Sequence, residues 1–306
     1  MKRKRLITPV VGIIGLGTMG QIIACHLQKR GLLRAVFDID LTRTSTFPKN
    51  KVVGDARQVA QKCNVIILCL PTPFDVRRTA DILFSNTKFE SVIIDLSTNS
   101  PDLTRSLFNK FRKLGIDYLE APMLGGVRAV RRHRLKLIVG GDEEVLLKVR
   151  PVLQIFAHSI IYLGEAGNAN TMKLVHNMIT LSNAVIAIEA ITIGQKAGLD
   201  LATLFLIIKT GTASSYVVNN TLKRTLLKGN WKKGFKLRLA AKDLMLADEL
   251  ASEVGIRPYV INRVIELFKC AAQDTMLADI DYPVIEREIT RRLHTRSENI
   301  GIGEKI

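Results

Sequence analysis

The sequence predicts a doubly wound α/β domain followed by an all-helical domain. Three observations carry this. Short apolar runs rich in Val, Ile and Leu alternate with helix-period segments through the first half. Gly15-x-Gly17-x-x-Gly20 lies at the first strand-to-helix turn. After Gly164 the texture becomes wholly helical. Alternation of strand and helix argues a parallel sheet covered on both faces.

Taken in order, Val10–Ile14, Leu33–Phe37, Val65–Leu70, Ser91–Asp95, Asp117–Glu120 and Leu135–Val139 read as strands. Met19–Lys29 and Val76–Phe84 read as helices between the earlier ones. Residues 170–197 form one long helical pattern without Pro, ended by Gly198. Further helices are expected at 201–209, 213–228, 235–254 and 258–277, with Gly and Pro as punctuation. The boundary falls near residue 165, giving domains 1–165 and 166–306. The last dozen residues are polar and are expected to fray.

A chain of 306 residues is long for one core and comfortable for two. A hydrophobic fraction of 47% with 24% charged residues excludes a disordered protein. The net charge of +17 splits as +12 over residues 1–165 and +5 over 166–306. Such an excess raises nucleic acid, acidic surfaces or small anions as partners. No aromatic residue interleaves the basic 128–136 stretch to stack bases, so nucleic acid is not favoured. Cys25, Cys63, Cys69 and Cys270 are scattered, which points away from zinc or disulfides and toward a reducing, cytoplasmic setting. Met1–Arg5 and the apolar run after it imitate a signal peptide, but the run leads into Gly15-Leu-Gly17 without a cleavage site. Asn, Glu or Lys interrupts the apolar stretches short of the ~20 residues a membrane span needs, so no membrane partner is expected.

The glycine motif, placed after a strand and opening a helix, marks the first domain as a Rossmann dinucleotide-binding domain. Its glycines serve the tight turn, the close approach of backbone to a pyrophosphate, and helix–strand packing. The free N–H groups of the helix start then meet the phosphates. Asp38 follows Gly15 by 23 residues, near the spacing at which a carboxylate takes a ribose 2′-OH. A carboxylate there repels a 2′-phosphate, so NAD is expected rather than NADP. Asp40 is the second candidate for that role, and Arg43 is the candidate host of a 2′-phosphate.

Several motifs in order, from about Val11 to Ala278, resemble the β-hydroxyacid dehydrogenase family, which includes 3-hydroxyisobutyrate dehydrogenases and tartronate semialdehyde (glyoxylate/succinic semialdehyde) reductases. The family's G-L-G-x-M-G stands as Gly15-Leu-Gly17-Thr18-Met19-Gly20, and its strand-end Leu-Pro as Leu70-Pro71. Its D-x-S-T-x-x-P stands as Asp95-Leu-Ser97-Thr98-Asn-Ser-Pro101. The resemblance implies that Leu70, Pro71 and Thr98 lie on the nicotinamide side of the cofactor, with Ser97 beside them toward the substrate. A helix cap ahead of Pro101 is an equally compatible reading of Ser97 and Thr98.

The family's substrate loop D-A-P-V-S-G-G is Glu120-Ala-Pro-Met-Leu124-Gly125-Gly126 here. The resemblance assigns the Ser position, Leu124, and the Gly125 and Gly126 amides to the substrate carboxylate. Leu124 replaces the hydroxyl donor by an apolar group, and the following G-A-x-x-G is rebuilt as Ala129-Val-Arg-Arg-His133, although Val139-Gly-Gly141 stays in register. Arg128, Arg131, Arg132, Arg134 and Lys136 make this loop basic, whether as a solvated face or as an attractor of anions.

Gly164-x-x-Gly167-x-Ala169-x-x-x-Lys173-Leu-x-x-Asn177 resembles the family's G-x-x-G-x-G-x-x-x-K-x-x-N. Lys173 and Asn177 stand at i and i+4, on one face of a helix. A lysine in an apolar helix is a poor core residue, so it snorkels to the surface or lines a polar cavity. Beside a carbonyl it donates a proton to oxygen as hydride reaches carbon, and accepts the proton again in oxidation. Asn177 is expected to orient the same substrate. Phe235-x-x-x-Leu-x-x-Lys242-Asp243-Leu matches the family's F-x-x-x-L-x-x-K-D-L. The match implies Lys242 near the cofactor, Asp243 beside it and Phe235 over the substrate, in a C-terminal domain like that of 6-phosphogluconate dehydrogenase. It also implies that the long helix packs on a second copy, as a homodimer or homotetramer.

The expected activity is thus an NAD(P)-dependent dehydrogenase or reductase interconverting a small β-hydroxy acid and its semialdehyde, with no metal. Two alternatives stand beside it: a non-catalytic NAD(P)-binding module with a basic surface, and a reductase for a non-carboxylate substrate, motivated by Leu124.

Overall fold

In a computed structural model, residues 8–231 and 234–298 are described, the last few by backbone alone. The Met1–Arg5 segment, most of the polar C-terminal dozen and residues 232 and 233 lie outside them. The chain divides into two compact units after Leu174.

In the first unit the strands are β1 (Val11–Ile14), β2 (Leu33–Phe37), β3 (Val65–Leu68), β4 (Val92–Asp95), β5 (Asp117–Glu120), β6 (Met123–Leu124), β7 (Lys136–Gly141) and β8 (Ser159–Tyr162). The helices among them are α1 (Thr18–Lys29), α2 (Ala56–Lys62), α3 (Pro73–Asn86), α4 (Pro101–Lys113), α5 (Gly126–Arg131) and α6 (Glu143–Leu153). The sheet runs β2-β1-β3-β4-β5-β7-β6, with β8 paired to β7. The first five strands are parallel; β5–β7 and β6–β7 are antiparallel. Val65 and Ile67 enter one buried cluster with Ile23 and Leu27 of α1, whereas Ile66 and Leu68 enter another with Val59, Val76 and Phe111. Side chains alternate across a strand, so a strand covered on both faces must be apolar at every position.

β6 and β8 escaped the sequence reading. β6 has two residues, too few for a period, and β8 is a half-exposed edge strand beside β7. The helix cap expected at Ser97 or Thr98 is made instead by Ser100, whose Oγ accepts the Leu103 amide at 3.2 Å.

The long helix is α7 (Asn168–Lys196), which opens in the first unit and continues into the second. Contrary to expectation it is long and apolar enough, by length and composition, to cross a membrane. The buried part of that hydrophobicity has a use: Leu181, Ala184, Val185, Ile188 and Ile191 build the second unit's core. The remaining helices are α8 (Leu201–Thr210), α9 (Leu237–Glu253), α10 (Tyr259–Gln273) and α11 (Glu286–Glu298). Residues Val217–Leu227, expected as an α-helix, form a π-helix. There the Thr225 hydroxyl donates to the carbonyls of Thr221 (3.1 Å) and Leu222 (3.3 Å), competing with the regular ladder.

Candidate active site

Strand register lines up the sequence-derived residues of the first unit. Ile14 pairs with both Phe37 and Leu68, Leu68 with Asp95, and Asp95 with Glu120. The loops holding Gly15, Asp38, Leu70 and Ser97, and the segment after β5 that leads into Leu124 of β6, therefore leave one edge of one sheet. The chain steps to opposite sides of β1 for β2 and β3, so the glycine turn sits where strand order reverses, the usual ligand position of such sheets.

Gly15 adopts φ +95°, open to glycine. A Cβ on Gly20 would come within 2.0 Å of the Gly15 carbonyl oxygen, so only glycine lets α1 approach this closely. The start of α1 has no side-chain cap, and nothing lies within 4 Å of a Cβ built on Gly17. Uncapped N–H groups facing open space fit the pyrophosphate of a dinucleotide. Thr18 is exposed and Met19 half-buried in that first turn.

Asp38 is buried and its carboxylate is already employed. Oδ2 accepts the Leu16 amide at 2.6 Å and Oδ1 the Asp40 amide at 2.8 Å. Asp38 therefore braces the glycine turn. Asp40 is more exposed, and the Thr42 hydroxyl, with help from Arg43, holds its carboxyl below the ordinary range. Arg43 lies 3.5 Å from Asp38 and 3.1 Å from Asp40, so its charge is largely answered by carboxylates.

Ser97 is also buried. Its hydroxyl accepts the Leu70 amide at 3.0 Å and its own amide donates to Asp95 at 2.9 Å, joining the β3 and β4 loops. Thr98 and Leu70 are half-buried and Pro71 exposed. Burial pushes the Asp95 carboxyl upward, against hydrogen bonds from Ser97, Tyr118 and Asn99. Leu124 is half-buried; Gly125 and Gly126 are exposed with φ of +115° and +61°. Arg128, Arg131, Arg132, Arg134 and Lys136 are all exposed. Lys173 is half-buried on α7, within the first unit.

Within the second unit, Asn177 and Asp243 meet: Asn177 Nδ2 donates to Asp243 Oδ2 at 2.5 Å, and both residues are buried. Lys242 Nζ lies 2.6 Å from Asp243 Oδ1, an ion contact without hydrogen-bond geometry. Phe235 packs edge-on to Tyr282 with centroids 6.2 Å apart. Its backbone is held on both sides, its amide by Asp281 Oδ1 and its carbonyl by the Tyr282 amide, each at 2.8 Å.

Sequence reasoning gave no role to Glu120 or Asn170, both fully buried beside these loops. The one available signal was a carboxylate at the buried end of an apolar strand, which demands partners. Among the described residues no group of three or more His, Cys, Asp or Glu is placed to hold a metal.

Residues 10–164 match the profile of the NAD binding domain of 6-phosphogluconate dehydrogenase. Residues 167–285 match that of the NAD-binding domain of NADP-dependent 3-hydroxyisobutyrate dehydrogenase. The 2-(hydroxymethyl)glutarate dehydrogenase of Eubacterium barkeri is 30% identical over 80% of this chain and 83% of its own. The 2-hydroxy-3-oxopropionate reductase of Escherichia coli strain K12 is 32% identical over 86% of this chain and 91% of its own. Among solved structures, Mycobacterium tuberculosis 3-hydroxyisobutyrate dehydrogenase with L-serine superposes with a TM-score of 0.83 at 27% identity, covering 92% of this chain and 99% of that one.

Proposed function

The chain belongs to the β-hydroxyacid dehydrogenase family, and from that premise we propose that it interconverts a small β-hydroxy acid and its semialdehyde with Lys173 as general acid and base. It is an NAD(P)-dependent oxidoreductase acting on CH–OH groups. The Gly15–Gly20 turn and the start of α1 would hold the pyrophosphate, with Leu70, Pro71 and Thr98 toward the nicotinamide, which supplies or accepts the hydride when bound. Lys173 gives a proton to the substrate oxygen in reduction and takes it back in oxidation. Asn177, one helical turn further on, orients the substrate. The observation that carries this reading is a half-buried lysine on the helix whose first turn abuts the edge bearing the glycine turn.

NAD is the proposed cofactor, because the carboxylates of Asp38 and Asp40 answer the charge of Arg43. A second copy is proposed on α7, where Met172, Ile179, Ile186 and Ile193 recur every seven residues and are all exposed, Ile193 by 62%. One observation favours a second reading of the substrate: Leu124 leads directly into the Gly125–Gly126 turn, which suits a less polar or uncharged group there.

The test is a panel of semialdehydes and β-hydroxy acids with both cofactors, run on wild type and Lys173→Ala. Lys173→Ala is expected to lower kcat by at least ~10²-fold with NADH binding retained. An unchanged rate removes Lys173 from the reaction.

A further inference from the structure

Glu120 ends β5 with its carboxylate turned onto the start of α7. Oε1 accepts the Gly167 amide at 2.6 Å and the Ala169 amide at 3.0 Å. Oε2 accepts the Asn170 amide at 2.9 Å and Asn170 Nδ2 at 2.6 Å. Burial pushes this carboxyl upward, and these N–H donors are what oppose it. Room is made from β7: a Cβ on Gly140 would lie 2.3 Å from Oε1, which gives that glycine a physical reason.

Asn170 carries the connection onward. Its Oδ1 accepts the Asn99 amide at 2.9 Å, and its Nδ2 also reaches Thr104 Oγ1 at 3.1 Å. Asn99 Nδ2 donates to Asp95 Oδ2 at 2.8 Å, the oxygen that also takes the Tyr118 hydroxyl at 2.9 Å. Asp95, Asn99, Glu120 and Asn170 are each 0% exposed. Four polar residues so placed are costly unless paired, and apart from Asn99 Oδ1, a buried atom without a hydrogen-bond partner, their side-chain polar atoms are paired in a way that selects one arrangement.

We propose that Glu120 and Asn170 are positioning residues for proton transfer, clamping the first turn of α7 to the Asp95–Asn99 loop and thereby setting where Lys173 stands relative to Thr98. Lys173 follows Asn170 by three residues, on the same side of the helix and ~4.5 Å along its axis. A slip of one residue in the clamp would turn Lys173 by ~100°. The inference rests on the Lys173 reading above.

The test compares Asn170→Ala, Glu120→Gln, Lys173→Ala and the double variant Asn170→Ala/Lys173→Ala, using a panel aldehyde that wild type reduces. Asn170→Ala is expected to lower kcat ~10- to 100-fold, the scale of a small misplacement, with the NADH Kd from nicotinamide fluorescence within ~2-fold of wild type. In the Lys173→Ala background the same change should cost nothing more, because the residue it positions is gone. Hydrogen exchange of residues 167–174 should accelerate in Asn170→Ala and in Glu120→Gln. Wild-type kcat in Asn170→Ala, an equal further loss without Lys173, or unchanged exchange in both variants overturns the proposal. A wild-type rate in Lys173→Ala is a different failure, that of the general-acid reading. Should Glu120→Gln not fold, Asn170→Ala carries the test alone.

Discussion

The Leu16 amide donates to Asp38 Oδ2 at 2.6 Å, which makes the acidic residue after β2 a strut of the glycine turn. Asp38→Ala strands that amide, at a cost of ~1–3 kcal/mol. Both NADH and NADPH should then bind ~10-fold or more weakly. Asp40→Ala instead frees Arg43 from one exposed partner and should move the preference toward NADPH by about 2- to 5-fold. Fluorescence titration of both cofactors separates the two; a selective loss of NADH in Asp38→Ala would make Asp38 the ribose reader rather than a strut alone.

Asn177 and Asp243 form a buried pair joining α7 to α9, so removing one leaves the other short of a partner. Asn177→Ala should destabilise the protein by ~1–3 kcal/mol and lower its Tm. A loss below ~0.5 kcal/mol in denaturant titration would show the pair to be structurally idle.

Leu124→Ser returns a hydroxyl donor ahead of the Gly125–Gly126 turn. kcat/KM for semialdehyde acids should rise against that for uncharged aldehydes, by the ~5-fold or more of one added hydrogen bond to a charged group. No gain in that ratio excludes the less polar substrate as the reason for Leu124.

Glu288 accepts Arg291 Nη2 at 2.8 Å and Arg292 Nε at 2.7 Å. The Arg291 hydrogen bond chiefly, with Arg292, holds its carboxyl down to about 2. A depressed carboxyl contributes stability that is present above its ordinary value and is lost as pH falls toward the folded one. The Tm difference between wild type and Glu288→Gln should therefore be constant above pH ~5 and shrink toward pH ~2. A difference independent of pH over that range excludes the ion pair as its cause.

The order of strands and helices was legible because both faces of β1, β3 and β4 are buried, which forces uninterrupted apolar runs. The glycine turn was legible because backbone conformation and close approach restrict Gly15 and Gly20 to one residue type. Lys173 stood out because an ammonium in an apolar helix is costly. What each polar group does with its hydrogen bonds was not legible, since that depends on partners distant in sequence. Asp38 carried a ribose-binding signal, and the structure adds that its oxygens also accept the Leu16 and Asp40 amides. The bond from the Leu70 amide to the Ser97 hydroxyl likewise has no trace in the spacing. Glu120 and Asn170, 50 residues apart, carry no local pattern that pairs them. Spacing thus determines which elements form and which residue types crowd one sheet edge. Only tertiary structure decides which buried donor meets which acceptor, because desolvation makes each such pairing obligatory without naming its partner.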